Sequence, residues 1–127
     1  MSGETNLAVL LKSIQPILRD GEYVFCTSSC LRVELNPIGF FQEDEGITLI
    51  LMRQDAEGAG LDYDSVFRMI TLSVHSSLEA VGLIAAIATK LAEHHISVNP
   101  VSAFYHDHLF VPATQADKAI KVLRESF

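Results

Sequence analysis

The chain has 127 residues, a hydrophobic content of 49% and a mean hydropathy of +0.28, which suits one domain or two very small halves that share a core. Nine basic residues against sixteen acidic ones give a net charge of −7, which repels phosphate backbones and anionic membranes, so neither nucleic acid nor membrane is an expected partner. The start of the chain lacks the basic region of a signal peptide, and the longest apolar run, residues 83–88, is too short to cross a bilayer, so the expected location is cytoplasmic.

Residues 5–18 predict a first helix. Their leucine and isoleucine side chains recur close to the helical period, and Thr5 is placed to cap the first turn. Pro16 lies late in this segment and is expected to end or kink the helix. The Asp20-Gly21 pair that follows it predicts a turn.

Two strands and a linker are predicted in the rest of the first half. The segment EYVFCT, residues 22–27, is rich in β-forming residues and predicts a strand. The segment ITLILMR, residues 47–53, is an almost continuous apolar run of strand length, which predicts a central strand buried on both faces. The segment DAEGAG, residues 55–60, predicts a linker.

The second half begins with a strand and a helix. The segment FRMITLSV, residues 67–74, predicts a strand with one apolar face. Ser76 and Glu79 stand three residues apart, as in a capping box, and the helix is expected to run from there to about His94.

A hairpin and a last helix complete the second half. Residues 96–105 and 108–112 predict two strands that are joined by a tight turn at His106-Asp107. Thr114 is expected to open the last helix. The residues expected to point inward from this helix are Ala116, Ala119, Ile120 and Leu123.

The order β-α-β-β-α is a ferredoxin-like split unit that lacks its final strand. The strand in EYVFCT or the one in ITLILMR could fill the vacant position, so we expect two halves, residues 1–62 and 63–127, that share an antiparallel sheet. Pro100 cannot donate a hydrogen bond to a neighbouring strand, so its strand is expected at the edge of the sheet.

Residues 70–112, ITLSVHSSLEAVGLIAAIATKLAEHHISVNPVSAFYHDHLFVP, resemble an ACT domain. ACT domains are small βαββαβ modules that bind amino acids and related metabolites and regulate metabolic enzymes. The chain is similar in particular to small stand-alone bacterial ACT proteins with two ACT-like halves, and that likeness extends through YVFCTS, IGFFQEDEGITLILM and DKAIKVL. It implies an α/β (α+β) fold of the ferredoxin-like ACT type, with the helices on one side of the sheet. One departure is that the turn after the strand at residues 67–74 lacks the Pro-Gly pair of many ACT domains.

The candidate ligand site is the junction between that strand and the helix that follows it. Ser76 and Ser77 supply hydroxyl groups beside His75, and the unpaired amides of a helix N-terminus attract a carboxylate. Gly82 permits the close approach of a ligand or of a facing backbone, although helix–sheet packing is almost as good a reason for it. Asn99 on the adjacent strand could recognise an amino group. The alternative is that Ser76 only caps the helix.

The histidines raise the question of a metal site. His106 and His108 have a spacing that metal sites use, but in a turn the two side chains need not point the same way. His94 and His95 fall at the end of a helix, where a cation complements the helix dipole. The sequence therefore predicts no metal and no cofactor.

An enzymatic function has little support in the sequence. Cys26 and Cys30 have no second cysteine pair to complete a zinc site, and the G-x-S-x-G, Walker A and G-x-G-x-x-G motifs are absent from the sequence. The expected function is that of a non-catalytic module that binds an amino acid or a similar small carboxylate. The alternatives are an oligomerisation or protein-interaction module with a decayed ligand site and, less favoured, a metal-dependent enzyme. An edge strand and a high apolar content predict a homodimer.

Overall fold

The computed structural model describes residues 6–74 and 77–127. None of the helices in these two stretches is long and apolar enough to cross a membrane. The helices and strands are α1 (Leu7–Ser13), β1 (Pro16–Leu18), β2 (Tyr23–Ser28), β3 (Gly39–Glu43), β4 (Gly46–Met52), α2 (Arg53–Gly58), β5 (Phe67–Leu72), α3 (Leu83–Glu93), β6 (Asn99–Ser102), β7 (Asp107–Pro112) and α4 (Ala116–Ser126).

The chain folds as two compact units. One unit comprises the described residues up to Asp20 together with Arg68–Phe127, and the other comprises Gly21–Phe67. The division predicted from the sequence, into residues 1–62 and 63–127, places helix α1 and strand β1 in the N-terminal half. In the structure, helix α1 and strand β1 fold with the C-terminal elements. The reason is that the apolar side of α1 is buried in the same core as α3 and α4.

The first helix is shorter than the sequence predicts. It begins after Asn6, whose Oδ1 accepts a hydrogen bond from the Val9 N–H at 3.1 Å, and it ends at Ser13. Thr5, the predicted cap, lies outside the described residues. The helical prediction for residues 14–18 was wrong, because Pro16 cannot continue the helix and begins strand β1 instead.

Strand β1 completes the sheet of the first unit. It pairs antiparallel with β5, with Pro16 opposite Leu72 and Leu18 opposite Ile70, and the order of strands in this unit is β1-β5-β7-β6. Residues 16–18, which the sequence analysis placed in a helix, thus pair with β5 at the position predicted to be vacant. A strand of three residues is too short to show a periodicity of its own.

The core of this unit lies between one face of the sheet and three helices. Alternate residues of β5 and β7 point to the same side, where α1, α3 and α4 cover them. The inward residues predicted for α4 are buried, which confirms that prediction. The fully buried members of this core are Leu10, Ile70, Leu72, Ile87, Leu91, Leu109, Val111 and Ala119.

The unit Gly21–Phe67 is built on strands in the order β3-β4-β2, with one further pair between Tyr23 and Phe67. Strand β4 lies in the middle, and its residues 49–51 are buried on both faces, which confirms the prediction of a central strand. The side chains of β2 and β4 on one face, Cys26 among them, form the core of this unit.

The prediction of a linker at residues 55–60 is wrong, because residues 53–58 form helix α2. Its Ala56 is fully buried against β2 and β4, and Arg53 pairs with Glu57 one helical turn later at 3.2 Å. The glycines that suggested a linker lie at the end of this helix, where Gly60 adopts a φ of +71°.

The placement of α1 in the core of the first unit gives a testable prediction. Leu10→Ala is expected to lower the free energy of unfolding by about 2–4 kcal/mol, because it leaves a cavity at a fully buried site. Val9→Ala on the exposed side of the same helix, where Val9 is 47% exposed, is expected to change it by about 0.5 kcal/mol or less. Urea unfolding followed by circular dichroism measures both, and equal effects of the two substitutions would contradict the packing of α1.

Candidate functional site

Helix α3 presents unpaired amides at its N-terminus. Gly82 is the N-cap, with a φ of +92° that favours glycine, and no side chain of residues 6–74 or 77–127 caps the helix. The first helical hydrogen bond runs from the Ala86 N–H to the Gly82 C=O at 2.9 Å, so the amides of residues 83–85 have no acceptor within the helix. These amides and the helix dipole make this end of the helix attractive to an anion.

The predicted start of α3 near Ser76 was wrong, since the helix begins at Leu83. Ser77 instead forms a turn before the helix, in which its Oγ accepts a hydrogen bond from the Glu79 N–H at 3.1 Å and its C=O accepts one from the Ala80 N–H at 3.0 Å. The glycine at position 82 allows the chain to change direction before the helix starts. His75 and Ser76 lie outside the described residues.

A cavity of about 140 Å³ lies beside the N-terminus of α3. Its walls are the first turn of the helix, the turn that precedes the helix and the base of the β6–β7 hairpin. Asp107, which is only 6% exposed, is the one charged residue among the described residues of the lining. The lining residues are Ser77, Leu78, Ala80, Gly82, Leu83, Ile84, Ala85, Ser102 and Asp107.

The hairpin brings Ser102 and Asp107 to this cavity because they are directly opposite each other in the β6–β7 ladder. Asp107 lies on the same face as Leu109 and Val111, which are buried under the helices. Asp107 was not predicted as a site residue because the sequence placed it in the turn at His106-Asp107. The alternation of residues 107, 109 and 111 was the signal that could have found it.

Of two other predicted site residues, Asn99 and Gly82, only Gly82 lines the cavity. Asn99 does not line the cavity: it is exposed and lies three positions before Ser102, so it is on the opposite face of the sheet, across from Phe110. Gly82 lines the cavity, but a Cβ at that position would lie 3.2 Å from Cδ2 of Leu7. Close packing of α1 is therefore a sufficient reason for this glycine.

The hairpin turn lies earlier than predicted. It comprises residues 103–106, where the Ala103 N–H donates to the His106 C=O at 3.0 Å, and β7 begins at Asp107. Nδ1 of His106 lies 3.4 Å from the Val74 C=O. The predicted turn at His106-Asp107 is thus wrong, because Asp107 pairs with Ser102 in the strand ladder.

His108 belongs to a polar group on the face of the sheet away from the helices. Its Nδ1 lies 3.0 Å from Oγ1 of Thr71, which also accepts a hydrogen bond from Nε of Arg19 at 3.0 Å. Burial lowers the pKa of His108, and electrostatic interactions with His106 and Arg19 lower it further. These contacts favour the neutral imidazole.

The remaining histidines stand at the C-terminal end of α3. Nδ1 of His94 lies 3.0 Å from the Lys90 C=O, and Nζ of Lys118 donates to the His94 C=O at 2.9 Å. His95 adopts a φ of +59° at the helix end, and its C=O accepts a hydrogen bond from Gln115. In residues 6–74 and 77–127 no three His, Cys, Asp or Glu side chains are grouped so that they could hold a metal ion.

Neither cysteine contributes to the cavity. Cys26 is buried in the core of the unit Gly21–Phe67, and burial raises the pKa of its thiol, so the thiol form is favoured. Cys30 is exposed, and both cysteines are free thiols.

Comparison with known proteins gives two matches to a family described as the ACT domain, over residues 2–68 and over residues 64–125. A Vibrio cholerae protein of unknown function, described as a possible transport protein, is 49% identical to the chain, with a TM-score of 0.86 over 94% of both chains. No curated protein matches the chain.

More distant structures share the fold. An Agrobacterium tumefaciens protein has a TM-score of 0.73 at 16% identity, over 87% of both chains. The aspartate kinase of Clostridium acetobutylicum, described as an allosteric enzyme, has a TM-score of 0.62 at 12% identity, over 98% of this chain and 36% of that chain. At such identities the likeness concerns the fold alone.

The histidine contacts lead to a prediction about metal content. We expect no stoichiometric zinc in the purified protein, because His106 and His108 direct their Nδ1 atoms to acceptors near β5 rather than to a shared point. Elemental analysis of the purified chain measures this. A content of about one metal ion per chain that is lost in the variant with His106→Ala and His108→Ala would contradict the prediction.

Proposed function

This chain belongs to the ACT-domain family, whose members are typically regulatory modules that bind small molecules, and we propose that it is a non-catalytic module that binds a small amino acid beside the N-terminus of α3. The observation that supports this function is a single cavity that combines the unpaired amides of residues 83–85 with the buried carboxylate of Asp107. An α-amino acid carries a carboxylate that complements the amides and an ammonium group that complements Asp107.

The carboxylate of the ligand binds at the helix end of the cavity. The amides of residues 83–85 lack acceptors within the helix and point toward the start of α3, where the helix dipole also favours a negative charge. The hydroxyl of Ser77 lies in the same lining and can donate a further hydrogen bond. This part of the proposal retains Ser77 and Gly82 as ligand-site residues.

The ammonium group of the ligand binds at the hairpin end. The carboxylate of Asp107 lines this end of the cavity, and charge-assisted hydrogen bonds between a carboxylate and a protonated amine are among the strong ones. In this proposal Asp107, rather than Asn99, binds the amino group of the ligand. Ser102, its neighbour across the hairpin, adds a hydroxyl on the same side.

The volume of the cavity limits the size of the ligand. At about 140 Å³ the cavity is smaller than the sites of about 300 Å³ or more that take drug-sized ligands, which favours a small ligand. We therefore propose glycine, alanine or serine as the class of ligand, because their side chains add little to the volume of the two charged groups.

A second candidate function is a protein-interaction module. Leu78 and Val81, in the turn before α3, are 65% and 82% exposed, and apolar side chains so exposed are typical of contact surfaces. The turn also lacks the Pro-Gly pair of many ACT domains. The two functions differ in whether amino acids bind to the isolated protein.

Thermal unfolding in the presence of each common amino acid tests the proposed function. A ligand at a hundredfold excess over Kd stabilises the folded state by about 2.7 kcal/mol, which raises Tm by several degrees in a domain of this size. Asp107→Asn is expected to abolish the shift because it removes the charge that binds the ammonium. Asn99→Ala, on the other face of the sheet, is the matched control and is expected to retain the shift.

Two results would contradict the proposal. One is the absence of any shift with all amino acids at about 10 mM, a concentration that saturates even millimolar sites. The other is a shift that Asp107→Asn leaves intact in a protein whose Tm without ligand is normal. An N-acetylated amino acid, which keeps the carboxylate but not the ammonium, is expected to give no shift.

A further inference from the structure

The pairing of strand β2 differs between its two sides. On one side all of its residues, from Tyr23 to Ser28, pair with β4. On the other side its pairing with β5 is limited to Tyr23 opposite Phe67, which is the first residue of β5. Because the two strands are antiparallel, residues 25–28 extend beyond the start of β5, and β2 has an edge there.

A cavity of about 430 Å³ lies beside this part of β2. Three consecutive residues of the strand, 25–27, line it, and their side chains alternate between the two faces of the sheet, so the cavity runs along the edge of the strand. Its volume is within the range of about 300–1,000 Å³ that is usual for ligand sites. The lining residues, all in the unit Gly21–Phe67, are Phe25, Cys26, Thr27, Thr48, Asp62, Tyr63 and Asp64.

The hydrogen bonds of the β2–β4 ladder determine which main-chain groups of β2 point to this edge. The Arg53 N–H donates to the Glu22 C=O at 2.9 Å, so these two residues are a hydrogen-bonded pair that continues the ladder. Such pairs alternate along an antiparallel ladder, so Cys26 bonds to β4 and Thr27 directs its N–H and C=O to the opposite side. Thr27 therefore presents a main-chain donor and a main-chain acceptor at the edge that the cavity follows.

The cavity is also negatively charged. Asp62 and Asp64 line it and are exposed, and no ion pair within residues 6–74 and 77–127 includes either of them. Burial raises the pKa of the Cys26 thiol, and the charge of Asp62 raises it further, so this carboxylate lies near the strand. A positively charged group complements this lining.

We propose that the cavity binds an extended peptide segment of a partner protein, which adds to the edge of β2 and places lysine or arginine side chains beside Asp62 and Asp64. The peptide residue opposite Thr27 exchanges two main-chain hydrogen bonds with it, as in strand addition to an exposed sheet edge. The peptide residues before and after that one direct their side chains to the face of Cys26, where the charge of Asp62 acts. Basic residues at alternate positions of the peptide therefore match the site.

A titration of the full ¹⁵N-labelled chain with two pentapeptides tests this proposal. The probes are the acetylated and amidated peptides Thr-Lys-Val-Lys-Thr and Thr-Glu-Val-Glu-Thr, because main-chain pairing tolerates many sequences and the charge then decides which probe binds. The lysine peptide at up to about 10 mM is expected to change the chemical shifts of the Thr27 amide and of the amides of residues 62–64 most. The glutamate peptide is expected to leave them unchanged.

Matched substitutions separate the charge from the main chain. Asp62→Asn together with Asp64→Asn is expected to weaken binding of the lysine peptide about tenfold, whereas Asp44→Asn with Glu45→Gln, in the β3–β4 turn, removes the same charge and is expected to retain binding. Thr27→Pro removes the outward N–H and is expected to abolish binding, and Thr27→Val, which keeps the main chain, is expected to retain it. Circular dichroism checks the fold of each variant, and the charge variants decide the outcome where Thr27→Pro does not fold.

Four results would overturn the proposal. These are unchanged amides with the lysine peptide, an equal response to the glutamate peptide, binding that a folded Thr27→Pro variant retains, and an equal response to lysine amide alone. The last result would show that the carboxylates bind a cation without strand addition. The proposal goes beyond the amino-acid site at α3, and Asp107→Asn is expected to leave peptide binding intact, so the two proposals fail separately.

Discussion

The pairing of β1 with β5 is the constraint on which the unit with the cavity depends. Three residues, Pro16–Leu18, supply the fourth strand of this unit and hold α1 beside the sheet. Because α1 is held there, Leu7 packs against Gly82, and the start of α3 is fixed next to it. The position of the unpaired helix amides thus follows from a strand that contributes few hydrogen bonds of its own.

The alternation of side chains along the β6–β7 hairpin provides the second half of the proposed site. The same periodicity that buries Leu109 and Val111 under the helices turns Asp107 toward the cavity. His108, one position along, therefore lies on the opposite face, where its ring contacts Thr71. One hairpin thus places a carboxylate on the face that carries the cavity and an imidazole in a hydrogen-bonded group on the other face.

Structural features that depend on long periodic segments were predicted from the sequence. Features that depend on only a few residues were not. The apolar stripe of α4, the buried strand β4 and the edge position of Pro100 follow from periodicity or from the missing amide of proline. The strand at residues 16–18 and helix α2 were missed, because tertiary packing overrides local preference in such short elements. Of the residues that line the cavity, Ser77 and Gly82 were proposed from the sequence, whereas Asp107 was assigned to the hairpin turn.

The central claim is that the amides of Leu83, Ile84 and Ala85 bind the carboxylate of an amino acid. A titration of ¹⁵N-labelled protein with glycine, alanine and serine, followed by ¹H–¹⁵N correlation spectra, tests it most directly. The account predicts that these three amides show the largest changes in chemical shift and that the changes saturate together with that of the Asp107 amide. Ammonium or acetate, added alone at the same concentration, is expected to leave the chemical shifts of these amides unchanged. Spectra in which the three amides do not respond, or in which the largest changes fall within residues 21–67, would contradict it.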